Sequence, residues 1–157
     1  IGDWDHPYAT MDFAAEARTV LSLFHPSLME KDLKVSGHFD TVGIQGDRDS
    51  IQFIMRNLLS NAIKFSMAGG TIEVSTGCDA SGAAFFQVAD HGVGIRPEVR
   101  ERLFSIESRI TTPGTSGETG TGMGLILSAE FAERDGAALV VESESGSGTS
   151  VTLRFRR

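Results

Sequence analysis

Asn57-Leu58-Leu59-Ser60-Asn61-Ala62-Ile63-Lys64-Phe65 is the stretch on which the reading of this chain turns. Around it Ile51, Ile54, Met55, Leu58, Leu59, Ala62 and Ile63 recur at spacings of three and four, which predicts an amphipathic helix. Asp49 and Gln52, three apart, form a capping pair at its start, and Ala68-Gly69-Gly70 ends it. At about 100° per residue, Asn57, Asn61 and Lys64 fall within one polar stripe roughly opposite the apolar one. One face builds core; the other meets solvent or a ligand. Carboxamide oxygens are hard donors that suit a divalent cation, and an ammonium three residues on reaches an anionic group beside it.

Outward from this helix the pattern alternates. Residues Ile1 to Thr10 show neither helical nor strand period and read as a lead-in. Phe13, Ala17, Val20, Leu21, Phe24 and Leu28 predict a second amphipathic helix from Asp12 to about Lys31, jogged at Pro26, and Lys34 to Phe39 reads as a strand. Past Gly70, Ile72 and Val74 alternate with polar neighbours, Ala83 to Ala89 is apolar, and Ser81-Gly82 between them predicts a hairpin. Pro97 and Glu98 suit the first turn of a short helix to about Phe104, and a polar stretch from Ser105 to Thr121 has no core-forming pattern. A helix from about Gly122 to Asp135 closes at Gly136, and strands follow at Ala138 to Glu142 and Ser150 to Phe155. The layout predicts an α/β fold: a two-layer sandwich whose mixed, mostly antiparallel sheet carries helices on one face.

Two further clusters join the first. Asp90-His91-Gly92-Val93-Gly94 ends an apolar strand, where a carboxylate can accept from an exocyclic amine and glycines let a flat ring approach the backbone. Gly120-Thr121-Gly122-Met123-Gly124-Leu125 precedes the last helix, where N–H groups and the macrodipole favour phosphate. Each alone also fits a bland role: a solvated helix face, an Asp-Gly turn, a flexible linker. Neither Gly-Lys-Ser/Thr nor a Gly-x-Gly-x-x-Gly fingerprint occurs, so two common nucleotide folds drop out. Taken in this order, the three clusters supply complementary parts of a site for ATP with Mg²⁺.

The 157 residues, 40% hydrophobic and 22% charged, fit one globular domain. A net charge of −7 argues against a nucleic-acid surface and requires that an anionic nucleotide be held by local means. Cys78 is the only cysteine, so no intramolecular disulfide and no cysteine-held zinc is expected, and a reducing compartment follows. No apolar run approaches the roughly 20 residues that span a bilayer. The chain begins at Ile1 rather than methionine, as would a segment cut from a longer parent.

Together these residues resemble the catalytic, ATP-binding domain of bacterial sensor histidine kinases, within the superfamily of type II topoisomerases and heat-shock chaperone ATPases that shares the Bergerat fold. The resemblance runs from about Asp12 to Phe155. Asp49 to Ser66 is similar to that family's N box, Asp90 to Gly94 to its first glycine box, Leu103-Phe104 to its F box and Gly120 to Leu125 to its second glycine box. Thr111 to Gly120 is similar to a variant of its ATP lid, which spans about 105–121 here. His91, Phe65 and Met123 depart mildly from the residues usual there, asparagine, tyrosine and leucine.

The resemblance implies that Asn61 is the principal Mg²⁺ ligand with Asn57 beside it, that Lys64 meets the phosphates, Phe65 the nucleotide ring and Asp90 the adenine amine. Gly92 and Gly94 would shape the base pocket, with Phe104, Gly120, Thr121, Gly122, Met123, Gly124 and Leu125 completing the nucleotide site. The implied activity is transfer of the γ-phosphoryl of MgATP to a histidine, with Asn57, Asn61 and Lys64 as the catalytic set. None of His6, His25, His38 and His91 lies in the family's phosphoacceptor pattern, so the acceptor belongs to an upstream dimerisation domain, joined through a linker at 1–11 to the catalytic domain at 12–157. A response regulator receiver domain downstream, no nucleic acid, a homodimeric parent, a monomeric fragment and a cytoplasmic setting, the parent's membrane anchoring left open, complete the expectation. Two alternatives stand beside it: a related ATPase that hydrolyses ATP to drive a conformational cycle, and a catalytically degenerate nucleotide-binding module. Hydrolysing relatives place a glutamate base where this chain has Asn57, whose amide cannot take a proton from water.

Overall fold

In a computed structural model of the chain, residues 8–92, 124–144 and 148–155 are described. They form strands β1 (Tyr8–Asp12), β2 (Lys34–Phe39), β3 (Gly43–Asp47), β4 (Thr71–Cys78), β5 (Ala84–Asp90), β6 (Ala137–Glu144) and β7 (Gly148–Phe155). The helices are α1 (Phe13–Leu23), α2 (His25–Glu30), α3 (Arg48–Phe65) and α4 (Gly124–Arg134). None of these helices is long and apolar enough to cross a membrane.

The sheet order is β2-β4-β5-β7-β6, with β2 parallel to β4 and every other pairing antiparallel. This is the mixed sheet that the alternation of strands and helices predicts. Ile72, Val74 and Thr76 of β4, Phe86, Val88 and Asp90 of β5, and Val151 and Leu153 of β7 are buried, while the residues between them are half-buried or exposed. One face is therefore core and the other polar. Helices α1 and α3 lie against β4, β5 and β7. Phe13 is fully buried where α1 meets the sheet, with ring centroids 6.3 Å from Phe86 and 5.5 Å from Phe155. Aromatic contacts of this kind fix relative position as well as burying area.

Local chemistry sets the element ends. Helix α3 is capped by Asp47, whose carboxylate accepts from the Asp49 N–H at 3.1 Å and the Ser50 hydroxyl at 3.0 Å. The cap is thus Asp47 rather than the Asp49–Gln52 pair, because Gln52 turns aside to donate to buried Glu16 at 2.8 Å. The helix stops at Phe65, before Ala68-Gly69-Gly70, with Ser66 donating its N–H and hydroxyl to the Ala62 carbonyl. The helix expected from Asp12 to Lys31 is two helices broken at Phe24, with Pro26 in the first turn of α2, where its missing N–H costs no bond. Tyr8–Asp12, which shows no strand period, pairs antiparallel with β3, and Asp12 caps α1 while accepting from the Val42 N–H at 3.0 Å.

The β4–β5 hairpin closes on Asp79, which accepts from the N–H groups of Ser81 and Ala83 and from Arg154 at 2.6 Å. The Arg154 guanidinium holds that carboxyl well below the usual carboxylate range, helped by the Ser81 hydroxyl. Helix α4 closes at Gly136, whose φ of 78° is the left-handed conformation of a helix stop.

Candidate nucleotide site

The placement of α4 against α3 organises one side of the site. Phe53 and Phe131 meet edge-on at 5.2 Å, Arg134 donates to Ser50 at 2.6 Å, and the Asp135 carboxylate accepts from the Asp47 N–H at 3.2 Å. The C-terminal end of α4 is thereby tied to the N-terminal end of α3. The two helices run antiparallel, so the N-terminus of α4 comes down beside the middle of α3. There Gly124 faces Asn57: a Cβ on Gly124 would overlap the Asn57 amide nitrogen and lie 2.8 Å from its Cγ. Fully buried Ser128, one turn further on, directs its hydroxyl to Asn57 Oδ1 at 3.4 Å.

Asn57, Asn61, Lys64 and Phe65 are all half-buried, and the first three form a stripe roughly opposite buried Ile51, Met55, Leu58 and Ala62 on α3. The Asn61 amide approaches Asn57 Oδ1 at 3.5 Å, and the Lys64 ammonium stands 5.0 Å from the Phe65 ring centroid. Two carboxamides side by side on α3, the first of them against the start of α4, with an ammonium one turn on, form a donor set that fits a hydrated divalent ion and phosphate oxygens. No group of three His, Cys, Asp or Glu side chains that could hold a metal forms among the described residues.

The second wall is the end of β5. Asp90 is only 7% exposed, and its Oδ1 accepts from the Gly92 N–H at 2.8 Å and the Thr149 N–H at 3.3 Å. Burial pushes its carboxyl above the ordinary aspartate range, against the opposing pull of those two N–H groups and of His91. Gly92 packs on the end of α3 so closely that a Cβ there would overlap the Phe65 carbonyl. Only glycine fits that approach. His91 is exposed and pairs with Glu73 at 2.8 Å.

The first two clusters therefore meet at the end of α3, and the third touches the first through Gly124. Leu125 packs half-buried against the core. Gly94, Phe104, Gly120, Thr121, Gly122 and Met123, with the helix expected from Pro97 and the lid at 105–121, lie outside the described residues.

Gly148, Thr149 and Ser128 also belong to this geometry and do not stand out in the sequence. Gly148 has φ 96°, and a Cβ on it would overlap the Asp90 carbonyl. Its only sequence signal is the small-residue run Gly146-Ser147-Gly148 between two strands. Ser128 gives none, since a serine in a helix is ordinarily exposed.

A sequence profile described as "Histidine kinase-, DNA gyrase B-, and HSP90-like ATPase" matches residues 46–157. Sensor histidine kinase YkoH of Bacillus subtilis is 32% identical over 146 residues, covering 93% of this chain and 31% of its own length. The chain thus spans under a third of that relative. The solved mycobacterial sensor histidine kinase MprB superposes with a TM-score of 0.79 at 22% identity, covering 94% of this chain and 96% of its own, which shows a common fold. Full-length ShkA, crystallised in complex with AMPPNP, gives a TM-score of 0.77 at 27% identity over 94% of this chain and 30% of its own. With a profile match over more than half its length, the chain belongs to the histidine kinase-, DNA gyrase B- and HSP90-like ATPase family.

Proposed function

We propose that the chain is the catalytic domain of a sensor histidine kinase, which binds MgATP and delivers its γ-phosphoryl to a histidine on a separate dimerisation domain. The observation that carries this reading is that Asn57, with Asn61 beside it, meets the N-terminus of α4, while the last turn of α3, which bears Lys64 and Phe65, meets Gly92 beside Asp90. A purine with a phosphate tail needs both ends.

The Asp90 carboxylate accepts from the exocyclic amine of the base, the glycine at 92 lets the ring approach the backbone, and Phe65 supplies an apolar edge. The Lys64 ammonium and the N–H groups opening α4 face the phosphates. Asn61, with Asn57 beside it, would hold Mg²⁺, which when bound neutralises phosphate charge. The chain's contribution is positioning and electrostatics, and imidazole on the acceptor is already a competent nucleophile. The amide of Asn57 cannot take a proton from water, which favours transfer over hydrolysis.

By the same reading the acceptor domain belongs to a homodimeric parent, this domain alone is monomeric, and a response regulator takes the phosphoryl group next. Mixing the chain with γ-labelled ATP and its dimerisation domain is expected to yield an acid-labile label on histidine. ATP binding without any such label would remove the kinase reading. Asn61→Ala is expected to abolish the Mg²⁺-dependent gain in ATP affinity while leaving metal-free binding within about threefold, since only the metal-facing amide is lost. Titration calorimetry with and without Mg²⁺ checks this, and an undiminished Mg²⁺ effect counts against the site.

A further inference from the structure

We propose that Lys31, which lies outside all three motif clusters, is a positioning residue for the nucleotide-facing end of α3. This inference rests on the nucleotide site proposed above. Lys31 is only 8% exposed, and its ammonium donates to the carbonyls of Ile63 at 2.7 Å and Lys64 at 3.1 Å. Those carbonyls belong to the last turn of α3, where intrahelical donors run out and the macrodipole favours a cation. A lysine fits because one ammonium carries three donors, and its burial is tolerable only where those donors are satisfied.

The corner that delivers Lys31 is itself anchored. The Lys31 carbonyl accepts from the Gly69 N–H at 3.1 Å, Leu33 donates to Leu28 at 2.8 Å, and Lys34 donates to Gly70 at 3.0 Å. Asp32 between them takes a φ of 56°, which sets the turn. The α2–β2 corner thus grips the chain after α3 by its backbone and the helix end by one side chain.

What that end carries makes the grip functional. The last turn bears Lys64 and Phe65, ammonium 5.0 Å from ring, and the Phe65 carbonyl is the surface against which Gly92 packs, beside the Asp90 carboxylate. Letting two carbonyls lose their donor would let this turn fray. Lys64, Phe65 and the Asp90–Gly92 turn would then lose their common reference while the middle of α3, held by buried Leu58 and Leu59, stayed in place.

The test compares Lys31→Met and Lys31→Arg in the 157-residue chain, with Asp90→Asn run in parallel. In Lys31→Met, amide hydrogen exchange at Phe65 and Ser66 is expected to rise about tenfold or more with Leu58 and Leu59 unchanged, and ATP affinity to fall about tenfold, the scale of lost charged hydrogen bonds. Lys31→Arg should keep both near the parent. A Lys31→Met protein that melts earlier yet keeps its ATP affinity and its Phe65 and Ser66 protection makes Lys31 a stabilising residue only and overturns the proposal. Should Lys31→Met not fold, Lys31→Gln, which retains one donor group, is read by the same two measurements. If Asp90→Asn binds ATP normally, the site itself is misassigned and the positioning role falls with it.

Discussion

Asp90→Asn is expected to weaken ATP binding about a hundredfold or more while leaving the fold intact, on the scale of one charged hydrogen bond replaced by two opposed donors. The Oδ1 of Asp90 already accepts from Gly92 and Thr149, and an asparagine can keep that oxygen in place. The other oxygen becomes an NH₂ group, which meets the exocyclic amine donor to donor.

Stability should move the other way. Burial raises the Asp90 pKa above its unfolded value, so the folded state binds more protons than the unfolded one between the two. Its contribution to stability is therefore fully present below the unfolded pKa and is lost as pH rises through the folded one. At neutral pH the buried carboxylate is a cost that Asp90→Asn removes. Denaturant midpoints at pH 7 are expected to be equal or higher in the variant, with ATP binding lost. A variant that unfolds more easily at neutral pH and still binds ATP would refute both halves of the argument.

Gly148→Ala is expected to destabilise the domain by about 2 to 5 kcal/mol, the sum of left-handed backbone strain and overpacking. Its φ is 96°, and a Cβ there would overlap the Asp90 carbonyl and lie 2.8 Å from the His91 Cα. Both neighbours are backbone, so no side chain can swing aside. The strand end carrying Asp90 must shift, and the Thr149 N–H bond to its carboxylate goes with it. Urea denaturation gives the stability change, and ATP titration of the folded fraction should show weakened binding. A change under about 0.5 kcal/mol, the usual range for a surface substitution, would place the hairpin elsewhere.

Why Gly148 was invisible and α3 was plain comes down to range. The stripes of α3 are local, so Asn57, Asn61 and Lys64 share a face by helical geometry alone. Its cap lies two residues earlier than the local pattern predicts because Gln52 is drawn to Glu16, 36 positions away. Strand β1 has no local period strong enough to declare it, and it exists through pairing with β3, more than 30 residues on. The same holds for the Asp90 environment. Thr149 reaches it only through the register of β5 on β7, and Lys31 reaches α3 across 32 positions. Local periodicity identified which residues share a face. Which backbone donors and glycines brace them was decided by strand register and corner geometry, which no single window contains.

Strand β5 lies third of five, with β4 and β2 on one flank and β7 and β6 on the other. Two hydrogen-bonded ladders therefore separate the Asp90 carboxylate from either margin of the sheet. Tethers, insertions or docking partners added along β2 or β6 would sit two strands away from it, so on the function proposed above those borders can diversify without touching base recognition.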